Sequence, residues 1–216
     1  MMLLFSLLAL LFAPAPGGPS GQRAQRETPG ASEELTLDGA RPLLENERAT
    51  VWDFTWTRGV PDSLERRTSD SVWISVPAGD VTYWAKGADR RAPRSGGTAM
   101  RMIAIDLKDH PVAPLRNTSG FPNAFPRPNG KKIIENDRVI VWDYTWTPAQ
   151  PTPMHFHDKD VVVVYLQHGS LRSTTPDGKS VVSKWTPGDT RFNLRDRVHT
   201  ETLVEGTLRA IITEFK

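Results

Sequence analysis

The sequence contains no cysteine. Disulfides, thiolate catalysis and Cys-type zinc sites are therefore excluded, as is an anchor on a lipidated cysteine. It also has little charge of one sign: the formal net charge is only +2. Nucleic-acid binding normally leaves a concentrated basic patch. The densest basic run here, Arg90, Arg91 and Arg94, is short and set among Pro and Gly, the pattern of a solvated loop. No nucleic-acid partner is expected. No segment shows a sustained helical period with caps. No apolar run is long enough to cross a bilayer as a helix, the longest being Leu3 to Ala13.

That short apolar run has the length of a signal-peptide core, and Ala13-Pro14-Ala15 reads as a small-residue cleavage site. Residues 1–15 are expected to be a signal peptide and residues 16–40, rich in Gly, Pro, Ser, Gln and Glu, a disordered spacer. The expected location is secreted or periplasmic, with no membrane span once the signal is removed.

What the chain does have is an internal repeat. Leu44-Glu45-Asn46-Glu47-Arg48 recurs as Ile134-Glu135-Asn136-Asp137-Arg138. Val51-Trp52-Asp53-Phe54-Thr55-Trp56-Thr57 recurs as Val141-Trp142-Asp143-Tyr144-Thr145-Trp146-Thr147. The offset of 90 continues through Pro61/Pro151, Asp70/Asp160, Val72/Val162 and Gly79/Gly169. At the ends, Arg101–Lys108 parallels Arg209–Lys216 and the offset is 108, so the first repeat has lost about eighteen residues near its C-terminal part. The tryptophans recur in both copies and read as core.

Both copies carry the alternation and β-branched, aromatic composition of strands. Thr175-Pro176-Asp177-Gly178 and Thr186-Pro187-Gly188-Asp189 are turns between strand-like runs. The expected class is all-β, a sandwich or jelly roll. The expected organisation is a shortened repeat over 41–108, a Pro-rich linker over 109–132 and a complete repeat over 133–216.

Chemistry concentrates in the second repeat. His155 and His157 are two apart, so on a strand both point to one face. Two inward imidazoles without partners are costly to bury, and a divalent metal resolves that cost. Glu65 and Arg67 occupy those positions in the first repeat, which is therefore expected to lack a metal site.

These residues resemble the motifs of the cupin superfamily, small jelly-roll β-barrels. His155 and His157 match the histidines of its first motif, and Gly169 the closing glycine. Pro187-Gly188-Asp189 matches the turn of its second motif, and His199 falls where the third histidine belongs. The resemblance implies a cupin-type jelly-roll barrel in two tandem repeats, the second complete and the first shortened. It also implies a site holding one divalent transition metal (Fe, Mn or Zn) on His155, His157 and His199. The sequence departs from the pattern at Val162, where the family has a glutamate ligand, and at Leu194, Asp196 and Leu203. Three-histidine iron sites occur among cupin dioxygenases.

Two carboxylates are near. Asp160 is matched by Asp70 in the repeat without histidines, so it reads as structural. Glu201 lies two residues after His199 and would face the same way, as a ligand, a partner of a ligand or the catalytic acid–base group. Val162, Val164 and Leu166 are expected to wall the pocket if they face inward. His110 and His168 read as surface residues. Two functions fit: a metal-dependent dioxygenase, lyase or isomerase acting on a small molecule, and a non-catalytic ligand-binding or structural protein that oligomerises, as a homodimer for example, through its sheet edges.

Overall fold

The computed structural model describes residues 40–56, 68–88 and 99–216. The signal-peptide and spacer expectations, the Arg90–Arg94 run, and Glu65 and Arg67 lie outside the described residues. Among the described residues there is no helix, so none is long and apolar enough to cross a membrane.

The second half forms two sheets. After β6 (Gly130–Glu135), the chain crosses repeatedly between them. β7 (Val139–Trp146), β9 (Val161–Tyr165), β12 (Thr190–Asn193) and β14 (Leu208–Phe215) join β6 in a five-stranded sheet. β8 (His155–His157), β10 (Gly169–Thr174), β11 (Ser180–Trp185) and β13 (Arg197–Gly206) form a four-stranded sheet, ordered β11-β10-β13-β8. This is a jelly roll, as expected. The first half supplies one five-stranded sheet, from β1 (Ala40–Glu45), β2 (Ala49–Trp56), β3 (Ser71–Val76), β4 (Val81–Trp84) and β5 (Met100–Leu107). Its order, β1-β2-β5-β3-β4, is that of β6-β7-β14-β9-β12.

Strand alternation gives each five-stranded sheet two apolar faces. Val51, Val72, Ile74, Ile103 and Ile105 of the first half share a buried cluster with Val141, Val162, Val164, Leu166 and Ile211 of the second. The opposite face of the second-half sheet carries Trp142, Tyr144, Trp146, Val161, Val163, Tyr165 and Ile212, packed with Leu171 and Leu203 of the four-stranded sheet. Both faces are buried, which is why β9 reads as an unbroken run of apolar residues.

Paired polar contacts cross between the halves. Arg101 makes a two-pronged bond to Asp53 at 3.0 Å and donates to the Pro187 carbonyl at 2.7 Å. Arg209 does the same to Asp143, at 2.8 and 2.9 Å, and to the Ala78 carbonyl at 3.0 Å. Arg48 faces Asp160 and the Lys216 carbonyl, while Arg138 faces Asp70 and the Lys108 carbonyl. Asp160 is thus committed to the face between the halves, and its Oδ1 also accepts the Arg195 N–H.

The turns place the missing segment. Gly79 N–H donates to Ser75 O and Ser75 N–H to Asp80 O. Gly188 N–H donates to Tyr165 O and Tyr165 N–H to Asp189 O. Both glycines have left-handed φ, 84° and 88°. The structural counterpart of Gly79 is therefore Gly188 and not Gly169, which opens β10. The first half goes from β3 to β4 by one tight turn where the second inserts the β10–β11 hairpin.

Candidate metal centre

His155 and His157 alternate on the short strand β8, and the antiparallel register of β13 sets His199 directly opposite His155. Arg197, His199, Glu201 and Leu203 occupy every second position of β13, so all turn toward the interior between the sheets. The three histidines are 2–7% exposed. His155 Nε2 lies 3.2 Å from His157 Nε2, which lies 3.0 Å from His199 Nε2.

The tautomers explain what these contacts mean. His155 Nδ1 is 2.8 Å from the Pro153 carbonyl, which only accepts, so the proton sits on Nδ1 and Nε2 presents a lone pair. His199 Nδ1 meets Ser173 Oγ at 2.9 Å. His157 Nδ1 has no partner among the described residues. Lone pairs facing each other at 3 Å repel unless a cation or proton lies between them. The donor set would fit a divalent first-row ion.

Burial, reinforced by the nearby Arg127, pushes the His155 pKa down to about 4, and burial brings His199 to about 3. Burial also drives His157 well below its usual value, with Arg197 acting in the same direction. All three are neutral at pH 7, the form that ligates metal.

Glu201 faces the cluster. Its Oε2 accepts the Trp146 indole N–H at 3.0 Å and lies 3.5 Å from the Arg127 guanidinium. Burial alone would raise its pKa, but His199 in its protonated form, the Arg127 guanidinium, protonated His155 and the indole bond outweigh that in acid and hold it at about 2. Asp160 is not in the cluster. Nor are Val162, Val164 and Leu166, which face the first half; the residues of β9 on the histidine side are Val161, Val163 and Tyr165. His110 and His168 are exposed.

Two arginines and a serine beside the cluster were missed by the sequence reading. Arg197 carries the same parity as His199, and that signal was available. Ser173 is set opposite Glu201 by the β10–β13 register. Arg127 comes from the segment read as a linker. Phe156 N–H donates to Pro122 O and Ala124 N–H to Phe156 O, stitching that segment to β8. Ala124 and Phe125 are buried in the barrel.

No protein-family model matches the chain. Over 60 residues it is 38% identical to the β-alanine degradation protein BauB of Pseudomonas aeruginosa, a match covering 28% of this chain and 59% of that protein. A cupin 2 conserved barrel domain protein from Leptotrichia buccalis aligns over 88% of this chain and 92% of its own at 11% identity and a TM-score of 0.48. Protein Ylba from E. coli aligns over 87% and 88% at 10% identity and a TM-score of 0.50.

Proposed function

We propose that the second half of this chain, whose jelly-roll fold is similar to that of cupin barrels, holds one divalent transition metal, Fe, Mn or Zn, on His155, His157 and His199. We propose further that it acts there on a small molecule as a dioxygenase, lyase or isomerase. The convergence of three neutral Nε2 atoms, one fixed as a lone pair by Pro153 O, carries this reading. When bound, such an ion supplies Lewis acidity or oxygen activation at its open positions. The chain's own part is to keep the imidazoles neutral, to orient His155 and His199 through Pro153 O and Ser173 Oγ, and to wall the site with Val161, Val163 and Tyr165. BauB is named for degradation of a small amino acid, which supports a small-molecule ligand over a macromolecular one.

Glu201 takes a positioning role in this reading. A carboxylate with a pKa near 2 is a weak general base at neutral pH, and its oxygen is already engaged by Trp146 and Arg127. The same observation favours the second reading, a metal-bearing site that binds its ligand without turning it over.

Metal analysis of protein purified without chelators tests the proposal. About one equivalent of a single transition metal is expected, falling below about a tenth in His155→Ala/His157→Ala. A metal-free protein that takes up no Fe, Mn or Zn would overturn it. We also propose export to the periplasm or medium through the Leu3–Ala13 run. N-terminal sequencing of exported protein is expected to begin after Ala15, and protein retained in the cytosol with Met1 intact would contradict it.

A further inference from the structure

Two arginines that are not needed as ligands press on the histidine cluster. Arg127 is 6% exposed at its side chain. Its guanidinium carbon lies 4.6 Å from the centre of the Phe125 ring and 4.0 Å from that of Tyr144, so two aromatic faces fix its plane. Its hydrogen bonding is poor for a buried cation with five N–H donors. NH1 donates to His155 Nε2 at 3.2 Å, NH2 reaches Glu201 only at 3.5 Å, and Nε has no acceptor among the described residues. Arg197, on β13, sits 3.2 Å from both ring nitrogens of His199 and has no carboxylate partner among the described residues.

The better acceptor that Arg127 uses is the lone pair a metal ion on the histidines would take. Loading the site therefore removes that bond and leaves an unsatisfied guanidinium beside the ion. A buried donor without an acceptor costs free energy. Glu201 offsets one arginine charge; the other remains for a ligand to meet. A guanidinium fork matches the edge of a carboxylate. A carboxylate brings one negative charge, whereas a phosphate monoester brings nearly two.

We infer that Arg127 and Arg197 form an anion subsite beside the three histidines and that the molecule taken there bears a carboxylate. This rests on the metal reading above for the place of the ligand, but the arginine subsite makes its own prediction.

The test is calorimetric titration of the full chain, zinc-loaded and metal-free, with propionate, its neutral isostere propionamide, and ethylphosphonate. The metal content of every sample is measured alongside. Wild-type protein is expected to bind propionate about tenfold or more tightly than propionamide, the preference of a charge-assisted bond. Arg127→Gln and Arg197→Gln should each reduce that ratio toward one while still holding metal. Arg127→Lys, which keeps the charge but loses the fork, should retain part of it and shows that the site still folds. A wild-type ratio near one, no propionate binding, a preference for ethylphosphonate, or a ratio unchanged in Arg127→Gln would overturn the inference. Absence of metal with an arginine-dependent propionate preference would sink the metal reading alone. Full metal occupancy with no such preference would sink only the carboxylate subsite.

Discussion

Acidifying the metal-free protein from pH 7 to pH 4 is expected to cost it several kcal/mol of stability. His155 and His199 have folded-state pKa values of about 4 and about 3, against 6.5 for the unexposed-charge reference of a free histidine. Between pH 6.5 and those values the unfolded chain binds protons that the folded chain refuses. Stability therefore rises with pH through this window, is complete above about 6.5, and is lost as the pH falls. At about 1.4 kcal/mol per pH unit, His155 alone contributes on the order of 3 kcal/mol, because it is buried beyond solvent screening. Glu201 acts lower. Its carboxylate is held ionised down to about pH 2, so its contribution is present above 4.5 and is lost between 4.5 and 2. Urea denaturation at pH 7, 5.5 and 4 measures this. The midpoint should fall steeply for wild type and much less for His155→Gln/His157→Gln/His199→Gln. Parallel pH profiles for the two proteins would show that the histidines are not the groups responsible. Metal should raise stability at pH 7 and lose its hold as the pH falls to about 4 and below, where protons compete for the folded ligands.

Arg48→Ala is expected to cost about 3–5 kcal/mol, and Arg138→Ala about 1–2, although Arg138 holds Asp70 at 2.9 Å and Arg48 faces Asp160 only at 3.7 Å. The difference is burial. The Arg48 and Asp160 side chains are 8% and 5% exposed, while Arg138 and Asp70 are 31% and 15% exposed. Removing Arg48 strands a buried carboxylate with the Arg195 N–H as its hydrogen-bond donor. Removing Arg138 leaves Asp70 near water, still accepting the Lys86 N–H. A double change that replaces Arg48 and Asp160 by Met and Leu should recover most of the loss, since an apolar pair of similar size carries no desolvation cost. Chemical denaturation of the three variants decides it. Equal losses for Arg48→Ala and Arg138→Ala would show that burial is not what separates them.

Much of the barrel was legible because it is written in local pattern. The Pro-Gly-Asp turn, the alternation of β7 and the apolar run of β9 each act over a few residues, and each appears as a strand or turn. The histidine cluster was legible for the same reason: i and i+2 on a strand share a face, and the motif spacing brought His199 opposite. Parity was where the reading slipped. Val162, Val164 and Leu166 were expected to wall the pocket only if they faced inward, and they face the first half instead. On a strand buried on both faces, composition gives no hint of which face is which. The offset of 90 carried to Gly79 and Gly169 failed because the inserted hairpin lies before that point in space. Only the turn hydrogen bonds identify Gly188 as the true counterpart. Arg127 was out of reach altogether. It sits in a Pro-rich stretch with no period, and its place depends on backbone bonds to β8 across some thirty residues of chain.

The face between the halves has a consequence for how the molecule behaves in dilute solution. Two separate chains meeting through such a surface would come apart on dilution, and every substitution in it would be felt twice. Here both sides belong to one chain, so closure is a unimolecular event whose equilibrium does not depend on protein concentration. Each arginine of the face can also change alone, and the burial of Arg48 against the exposure of Arg138 is such a difference already present. The first half presents the apolar sheet on which the histidine-bearing barrel rests.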